Sequence, residues 1–477
     1  MQYEVVIGLE VHVELATESK LFCSCSAKFG AEANENVCPA CAGMPGMLPV
    51  ANKKAIALGI AASLVTNSQI SPTITFDKKN YFYPDLSCGY QITQWFAPIC
   101  RDGYVEIETG QGAKRINLKQ IHIEEDAGKL VHAYEVSLVD YNRASVPLVE
   151  IVSKPDFRNA EEVVAYLEKL RALLTFAGVS DCRMQEGSMR CDVNISVREA
   201  GTTELGTRTE MKNMNSLRAI TRAIEYETQR HIDALANGTE ELVQETRRWD
   251  DQLGQSFAMR NKENATDYRY FPNPDLMPIA ISEAWIDTVR ASLPESAGDK
   301  FIRLTGQLGV AEPDARIITG SKRLADIFDA LAARNLPVKD IVSWIVTDLL
   351  AMNTEENKSS DDINIDCGKF ADLIELVNRK EINRAVAKKL LLLLYTENID
   401  PVTYVKENNL GLVSDTGLLE EAVAAVLAEN PKPVEQYLGG NEKVLGFLMG
   451  KVMAKTAGKA DPGAVKEILQ AQLGQGK

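Results

Sequence analysis

Residues 5–15 read Val-Val-Ile-Gly-Leu-Glu-Val-His-Val-Glu-Leu, and this stretch decides the fold class of the N-terminal region. Apolar residues fill every odd position, whereas Glu10, His12 and Glu14 lie at even positions. Because side chains alternate between the two faces of a strand, the pattern predicts a β-strand with one apolar and one polar face. A row of carboxylates and an imidazole suits a divalent cation, but a half-buried strand whose polar face meets water gives the same pattern.

Four further segments repeat this combination of apolar and acidic positions. They are 121–126 (Ile-His-Ile-Glu-Glu-Asp), 149–151 (Val-Glu-Ile), 190–197 (Arg-Cys-Asp-Val-Asn-Ile-Ser-Val) and 209–213 (Thr-Glu-Met-Lys-Asn). Each one alone is typical of a solvated strand face. Five together predict a cup with an acidic floor that suits Mg²⁺ or Mn²⁺. Carboxylates at this density would repel one another and raise their pKa values unless a cation neutralises them.

Four of the nine cysteines lie within nineteen residues, at Cys23, Cys25, Cys38 and Cys41. Thiol pairs at these short spacings can close a tetrahedron around Zn²⁺. A closed site of four thiolates is structural, so the spacing predicts a zinc site that supports folding rather than catalysis. An iron–sulfur cluster and four unrelated thiols remain alternatives.

The two common phosphate-binding loops do not occur in the sequence. The nearest match, 446–451 (Gly-Phe-Leu-Met-Gly-Lys), has the wrong length and no hydroxyl residue after the lysine. A nucleotide would therefore be held by metal ions and scattered basic residues. Segments 77–85 and 267–275 combine such residues with aromatic rings, which can hold phosphate and stack a base. Aromatic packing in turns explains these two segments equally well.

Composition restricts the class of protein further. The 477 residues are 45% hydrophobic and 25% charged, which is typical of globular protein with roughly 150 residues in each domain. The net charge of −15 argues against a basic coat but not against a local basic patch. The N-terminus does not resemble a signal peptide, and the longest apolar run, 390–395, is too short for a bilayer. We therefore expect a cytoplasmic protein that is not in a membrane.

The pattern of strands and helices predicts three domains, 1–294, 295–400 and 401–477. The first has strand-like runs at 5–15, 104–109, 145–152 and 190–198 and helices at 160–177 and from 216 towards 238. Beyond it the pattern predicts helices at 321–335, 337–352, 367–378, 382–395, 416–429, 442–457 and 462–474, with a loop at 353–362. The expected class is α+β, a mainly antiparallel sheet domain followed by two all-α domains.

Six colinear motifs resemble the B subunit of the aspartyl/glutamyl-tRNA amidotransferases, the GatB family. They are residues 8–15, 79–86, 122–128, 190–196, 210–215 and 267–272, and tail segments 445–453 and 458–462 extend the resemblance over essentially the whole chain. The resemblance implies a cradle-shaped catalytic domain similar to the glutamine synthetase fold. It also implies that a helical domain and a small tail domain follow, and that the tail contacts tRNA.

The resemblance further implies the reaction of an ATP-dependent carbon–nitrogen ligase that uses glutamine as the amido donor. ATP phosphorylates the side-chain carboxylate of Glu-tRNA(Gln) or Asp-tRNA(Asn), and ammonia then displaces phosphate to give Gln-tRNA(Gln) or Asn-tRNA(Asn). The ammonia arrives through a channel from a partner, the glutaminase A subunit, and a small C subunit completes a heterotrimer. The sequence leaves open which of the two tRNAs is the substrate.

These implications assign roles to the residues above. The first-choice Mg²⁺ ligands are Glu10, His12 and Glu125. Further ligands, or carboxylates that orient ammonia, are Glu150, Asp192 and Glu210, and Lys79 or Lys212 stabilises the acyl-phosphate oxygens. The residues expected to bind ATP are Lys79, Tyr81, Arg190, Asn194 and Arg269.

The tail carries a basic stretch that suits tRNA phosphates. Between residues 443 and 466, Lys443, Lys451, Lys455, Lys459 and Lys466 outnumber one acid, Asp461, which gives a local balance of +4. A solvated helix face is the alternative. Two other functions remain open for the whole chain: a small-molecule carboxylate–amine ligase, which would not need residues 401–477, and a non-catalytic scaffold that carries zinc.

Overall fold

The chain folds into two compact units, Met1–Ser296 and Ala297–Lys477. The computed structural model describes residues 2–133, 135–261, 268–355, 359–411, 416–441, 443–456 and 460–474. All strands within these ranges lie in the first unit, and the second unit is helical there. The predicted α+β class is therefore confirmed. The division into three domains stays a prediction.

The strands are numbered in chain order. They are β1 Tyr3–Glu14, β2 Gln69–Ile70, β3 Thr73–Ile74, β4 Asp77–Asn80, β5 Tyr90–Thr93, β6 Cys100–Arg101, β7 Tyr104–Thr109, β8 Gly112–Glu125, β9 Lys129–Ala133, β10 Val136–Asp140, β11 Pro147–Ser153, β12 Met189–Glu199, β13 Thr209–Lys212, β14 Glu245–Asp250, β15 Gln255–Asn261, β16 Phe271–Pro272 and β17 Ile279–Ala280.

The α-helices are numbered in the same way. They are α1 Lys53–Val65, α2 Ala160–Phe176, α3 Leu217–Asn237, α4 Glu283–Ser292, α5 Ala297–Ile302, α6 Glu312–Thr319, α7 Lys322–Ala332, α8 Val338–Val342, α9 Leu350–Glu355, α10 Cys367–Asn378, α11 Arg384–Glu397, α12 Pro401–Glu407, α13 Thr416–Glu429, α14 Pro431–Leu438, α15 Val444–Lys455 and α16 Pro462–Gly474. Short π-helical stretches, Arg303–Gln307 and Ser343–Leu349, and a 3₁₀ turn, Ser360–Asp362, connect some of them.

A ten-stranded sheet, counted over the described residues, forms the centre of the first unit. Its order is β15-β14-β13-β12-β1-β11-β8-β6-β2, and β7 pairs with β8 beside this path. The pair β13 and β14 is parallel, and the other paired strands are antiparallel. Strand β1 lies between β12 and β11, so that His12 has Arg190 on one side and Glu150 on the other. The sheet therefore joins segments that are more than a hundred residues apart in sequence.

The apolar face of β1 packs on the core, as its alternation predicts. Ile7, Leu9, Val11 and Val13 are at most 1% exposed and share one core with side chains of α2 and α3. Burial of each such side chain contributes about 2 kcal/mol to the free energy of unfolding. Because a slip of one residue would exchange the two faces, this burial fixes the polar row at even positions.

Helices α2 and α3 begin where the sequence provides capping residues. The Asn159 side chain accepts the backbone N–H of Glu162, and the Ser216 hydroxyl accepts that of Ala219. Each cap satisfies a backbone donor that the first helical turn leaves without a partner. The predicted starts of both helices are therefore confirmed.

The second unit contains two hydrophobic cores. One includes Trp344 and Phe370 and extends from residue 304 to 405, and the other includes Val423 and Leu448 and extends from 419 to 473. Helices α10, α13 and α16 match their predicted ranges to the residue, whereas α5, α6, α12 and α14 were not predicted. Among the described residues, no helix has both the length and the apolar character needed to cross a membrane.

A buried polar network joins α3 to the outer strands of the sheet. The Glu227 carboxylate accepts from Arg230 Nε at 2.9 Å and from the Ser256 hydroxyl, and His231 Nε2 lies 2.9 Å from Thr209 Oγ1. Glu227 and His231 are fully buried. Burial, helped by the Arg230 guanidinium, lowers the pKa of His231 to about 4. The folded chain therefore keeps this imidazole neutral well into the acidic range.

His231 is expected to make the free energy of unfolding decrease as the pH falls from 7 to 5, whatever the other groups contribute. Between pH 6.5 and 4 the unfolded chain takes up a proton at this histidine and the folded chain does not. Protonation therefore favours the unfolded chain, and the contribution of His231 to the free energy of unfolding decreases as the pH decreases. The His231→Gln variant should lack this contribution, so the change in its free energy of unfolding between pH 7 and 5 should differ from that of the wild type by up to about 2 kcal/mol, measured by denaturant unfolding. The exposed His132 gives a control, because His132→Gln should keep the pH dependence of the wild type. An unchanged pH dependence in His231→Gln would contradict this account.

Candidate metal and substrate site

The even face of the central sheet gathers a first cluster from three neighbouring strands. His12 on β1, Glu124 on β8 and Glu150 on β11 each offer a ligand atom, and these atoms lie within 4.8 Å of one another. His12 Nε2 is 3.6 Å from Glu124 Oε1 and 3.5 Å from Glu150 Oε2. The antiparallel register sets Glu150 opposite both His12 and His122. Strand pairing therefore builds the cluster.

His122 supports this cluster from the far side of Glu150. Its Nε2 is 2.9 Å from Glu150 Oε2 and 3.5 Å from Glu124 Oε2. Burial alone would lower the pKa of His122, but the Glu150 and Glu124 carboxylates raise it to about 10. The two histidines in turn hold the pKa of Glu150 well below its usual range against the effect of burial. The carboxylates of this cluster are thus compensated by positive charge.

A second cluster lies beside the first on the same face. Glu10 on β1, Asp192 on β12 and Glu210 on β13 offer oxygen atoms within 4.8 Å of one another. The Lys212 ammonium pairs with Asp192 and lies 3.4 Å from Glu210 Oε1. Asn194 Nδ2 donates to Glu10 Oε1 at 3.0 Å. Because Glu10 and His12 are two residues apart on one strand, the clusters lie roughly 7 Å apart.

The donor atoms of both clusters fit hard divalent cations. Carboxylate oxygens with one imidazole nitrogen are a ligand set that Mg²⁺ and Mn²⁺ accept, and ligands around one such ion lie about 3–4 Å apart. The separations in each cluster come close to this spacing. In the second cluster the Lys212 ammonium offsets only part of the negative charge of the three carboxylates, which leaves room for a cation. The two clusters can therefore hold cations and anionic oxygens next to one another.

Glu125 lies away from both clusters, although it was a first-choice ligand from the sequence. Its carboxylate accepts the backbone N–H of Ile92 at 2.8 Å and lines a cavity of about 290 Å³ together with Cys41 and Ser145. Burial raises the pKa of Glu125 to about 7. Alternation along β8 turns its side chain to the face opposite that of Glu124. The position expected for Glu125 beside His12 is thus occupied by Glu124.

The four cysteines at 23–41 converge, as their spacing predicts. Their sulfur atoms lie within 4.8 Å of one another, with Cys41 Sγ 4.0 Å from Cys25 Sγ and 3.9 Å from Cys38 Sγ. Four thiolates that share a zinc ion at 2.3 Å lie about 3.8 Å apart, so the cluster fits a zinc site. The buried Lys20 lies 3.5 Å from Cys41 Sγ and offsets negative charge there. A hydrogen bond with Cys23 is the largest of the effects that lower the pKa of Cys41 to about 4.

Four aromatic residues beside the first cluster form an aromatic cage: Tyr81, Trp95, Tyr268 and Tyr270. Lys79 Nζ lies 5.5 Å from the centre of the Tyr81 ring and 4.9 Å from that of Tyr268. Tyr270 packs edge-on against Tyr268 at 6.0 Å and stacks on Trp95 at 4.3 Å. Besides burial, the carboxylates of the first cluster help to raise the pKa of Tyr81 and Tyr270. The motif residue Asp267 lies outside the described residues.

Comparison with known proteins identifies the family. The model for the GatB/GatE catalytic domain matches residues 5–287, and the model for the GatB domain matches residues 326–473. The chain belongs to the GatB family.

Curated relatives of this GatB chain match it over nearly its whole length. A protein of Lachnoclostridium phytofermentans is 50% identical over 473 residues, which is 99% of each chain. Proteins of Caldicellulosiruptor bescii and Thermodesulfovibrio yellowstonii are 49% and 46% identical, and the matches cover at least 98% of this chain and 99% of theirs. All three are named as the B subunit of an aspartyl/glutamyl-tRNA(Asn/Gln) amidotransferase.

Several residues predicted for the site of this GatB chain lie elsewhere. The Arg190 guanidinium donates to Asp126 Oδ2 at 2.9 Å, and Glu14 pairs with Arg143 at 3.4 Å beside it. Arg269 is exposed, and its carbonyl accepts from Asn80. These residues lie outside both clusters, whereas Lys79 and Tyr81 lie in the aromatic cage.

Sequence reasoning missed Glu124 and His122 as site residues of this GatB chain. Both lie at even-numbered positions of β8, so strict alternation along 121–125 would have placed them on one face of the strand. Thr246, whose hydroxyl donates to Glu210 Oε2 at 2.7 Å, was missed as well. Nothing in its surrounding sequence, Glu-Thr-Arg-Arg-Trp-Asp, predicts a strand.

Proposed function

We propose that this chain is the B subunit of an aspartyl/glutamyl-tRNA amidotransferase and converts Glu-tRNA(Gln), Asp-tRNA(Asn) or both to the amide. The observation that carries the proposal is the pair of acidic clusters side by side on one sheet face of a GatB chain. The reaction is an ATP-dependent carbon–nitrogen ligation with glutamine as the amido donor. It needs one site for phosphoryl transfer and one source of ammonia.

The two clusters suit the phosphoryl-transfer step. This step brings the γ-phosphate of ATP against a carboxylate, so two anions must approach each other. Cations at the two clusters, Mg²⁺ in the cell, would supply charge neutralisation there. Lys212 lies between Asp192 and Glu210 and can follow the negative charge as it moves to the new acyl phosphate. We further propose that Lys79 and Tyr81 contact ATP, since both lie in the aromatic cage beside the first cluster.

Glu125 suits the amide-forming step rather than metal binding. Ammonium must lose a proton before its nitrogen can attack the acyl phosphate. Burial raises the pKa of the Glu125 carboxylate to about 7, so it can take up a proton near neutral pH, and it lines a cavity on the sheet face opposite Glu124 from which ammonium would approach. We therefore propose Glu125 as the proton acceptor.

The same proposal includes the partners. The glutaminase A subunit supplies ammonia through a channel, and the small C subunit completes a heterotrimer in the cytoplasm. Zn²⁺ fills the cysteine cluster and holds its loop. The described basic residues of the tail, Lys443, Lys451, Lys455 and Lys466, are exposed and suit tRNA phosphates. Lys459 lies outside the described residues.

The test supplies free ammonium, ATP and Mg²⁺ with Glu-tRNA(Gln) to the reconstituted complex and measures both phosphate release and Gln-tRNA(Gln). The wild-type complex should form Gln-tRNA(Gln) without glutamine. Glu125→Gln should keep phosphate release that depends on Glu-tRNA(Gln) but lower amide formation at least about a hundredfold, because the proton acceptor is gone. Asp102→Asn, at an exposed carboxylate on the loop between β6 and β7, is the control and should match wild type.

Three results would count against the proposal. If the wild-type complex formed no amide with ammonium, the proposed reaction would be wrong. If Glu125→Gln gave a normal amide yield, Glu125 would not be the proton acceptor. An equal loss of phosphate release and amide would move Glu125 from the second step to the first.

A further inference from the structure

Two large aromatic side chains stack at the surface beside the first cluster. Trp95 and Tyr270 lie with their rings 4.3 Å apart and only 10° from parallel. Trp95 is 45% exposed, and the neighbouring Phe96 is 52% exposed. Neighbouring exposed aromatic side chains beside a polar cluster are typical of a surface that binds a ligand.

The backbone below these rings is held rigidly from inside the protein. The fully buried Asp77 carboxylate accepts the N–H groups of Trp95 and Phe96 through one oxygen, at 2.7 and 3.0 Å. The buried Gln94 side chain accepts the N–H groups of Ile99 and Ile123 at 3.1 and 2.9 Å. A loop that is fixed by buried groups but turns its aromatic side chains outward is a preorganised binding surface.

The stacked pair lies close to the reacting groups. Thr93 donates its hydroxyl to Glu124 Oε2 at 3.2 Å, and Trp95 is only two residues further along the chain, at most about 7 Å away. Tyr270 reaches the same region from the other side, since strand β16 pairs Phe271 with Lys78. In an aminoacyl-tRNA, the side-chain carboxylate of an extended glutamyl group lies roughly 7 Å from the ribose oxygen that carries it. A carboxylate at the first cluster therefore leaves the terminal nucleoside near Trp95.

We propose that the Trp95–Tyr270 pair stacks the adenine base at the 3′ end of the substrate tRNA. This inference rests on the proposed function, because it takes an aminoacyl-tRNA as the substrate. The stack holds the terminal adenosine so that the ester-linked amino acid extends into the first cluster. Trp95 is thus a positioning residue for the amino acid and a direct contact for the base.

The openness of this surface favours the tRNA end over the adenine of ATP. Small ligands are usually enclosed by their pockets, whereas the Trp95 and Phe96 side chains are about half exposed to solvent. More exposed rings continue the surface, because Phe82 and Tyr83 follow Tyr81, whose ring meets that of Tyr268 at 5.8 Å. The exposed guanidinium of Arg101 bonds to the Phe96 carbonyl at 3.1 Å. Aromatic rings interleaved with cations are typical of surfaces that bind single-stranded nucleic acid.

A double-mutant cycle tests this contact directly. The dissociation constant of the full complex is measured for deacylated tRNA and for the same tRNA trimmed of its terminal adenosine. In the wild type, trimming should weaken binding about tenfold, and Trp95→Ala should weaken binding of the intact tRNA by a similar factor. Removal of the terminal adenosine should then cause no further increase in the dissociation constant of the Trp95→Ala complex. Trp95→Phe should keep most of the affinity, and Phe29→Ala, at another exposed aromatic residue, is the matched control.

Three outcomes would overturn the inference. If trimming and Trp95→Ala weakened binding additively, the Trp95 ring would not contact the terminal base. A raised KM for ATP with unchanged tRNA binding would assign the stack to the nucleotide. Dissociation of the complex on gel filtration would assign it to a protein partner. A failure of the proposed function is distinguishable, since it appears as absent amide formation in the wild type whatever the binding cycle gives.

Discussion

Replacing Glu124 with glutamine is expected to lower ammonium-driven amidation at least about a hundredfold while the chain stays folded. Glu124 is 4% exposed, and its carboxylate lies between His12 at 3.6 Å and His122 at 3.5 Å. Glutamine has nearly the same volume and can still accept from the Thr93 hydroxyl, so packing is preserved. What is lost is the negative charge that would hold a cation against the transferred phosphate. The measurement is the rate of Gln-tRNA(Gln) formation at saturating ATP.

The control for Glu124 lies on the same sheet face. Glu14→Gln alters a carboxylate that pairs with Arg143 outside both clusters, so the amidation rate should stay within a few-fold of wild type. Denaturant unfolding of both variants checks that neither has lost its fold. If Glu124→Gln kept the wild-type rate, the first cluster would not take part in the reaction.

Replacing Cys41 with serine is expected to have the largest structural effect. The loop 23–50 contains almost no regular secondary structure, and it leaves Phe29, Met44, Leu48 and Val50 exposed. Little buried apolar surface therefore holds it, and metal binding must supply most of its order, as in small zinc domains, where binding supplies about 10 kcal/mol or more. We expect loss of about one zinc ion per chain, rapid hydrogen exchange and easy proteolysis between residues 23 and 50.

The exposed Cys88 provides the matched control for this experiment. Cys88→Ser changes a thiol outside the four-sulfur cluster and should keep both the zinc and the protection of the loop. Metal analysis and hydrogen exchange on the two variants show whether the four-sulfur cluster binds zinc and whether zinc orders the loop. A wild-type chain without metal, or a Cys41→Ser chain with an ordered loop, would contradict the structural role of zinc.

The fold was predictable where hydrophobic burial alone sets the pattern. Strand β1 and helices α2 and α3 follow from their apolar periodicity and from the caps at Asn159 and Ser216. Strand β14 was not predictable, because Glu245 and Arg247 are held there by the buried polar network rather than by apolar packing. A segment rich in charged residues is normally predicted to be a surface loop. The strand becomes evident only from the tertiary contacts of these residues.

The site was predictable in kind but not residue by residue. The acidic strands of the sequence do form neighbouring clusters, because one buried face forces their polar residues onto the other. The run Glu124-Glu125-Asp126 offers three carboxylates in a row, and local sequence does not show which one faces His12. The register of β8 against β11 decides it, and this register depends on packing between segments far apart in the chain. A shift of one residue exchanges a candidate ligand with a candidate proton acceptor.

If the two adjacent clusters on one sheet face each hold a catalytic cation, the number of bound Mn²⁺ ions will show it. Paramagnetic resonance of free Mn²⁺, titrated into the complex with ATP and tRNA absent, gives the number of ions bound. We expect two Mn²⁺ ions in the wild type and one in each of Glu124→Gln and Glu210→Gln, with both retained in Glu125→Gln. An unchanged count in Glu124→Gln and Glu210→Gln, or loss of an ion in Glu125→Gln alone, would contradict the assignment of the two clusters.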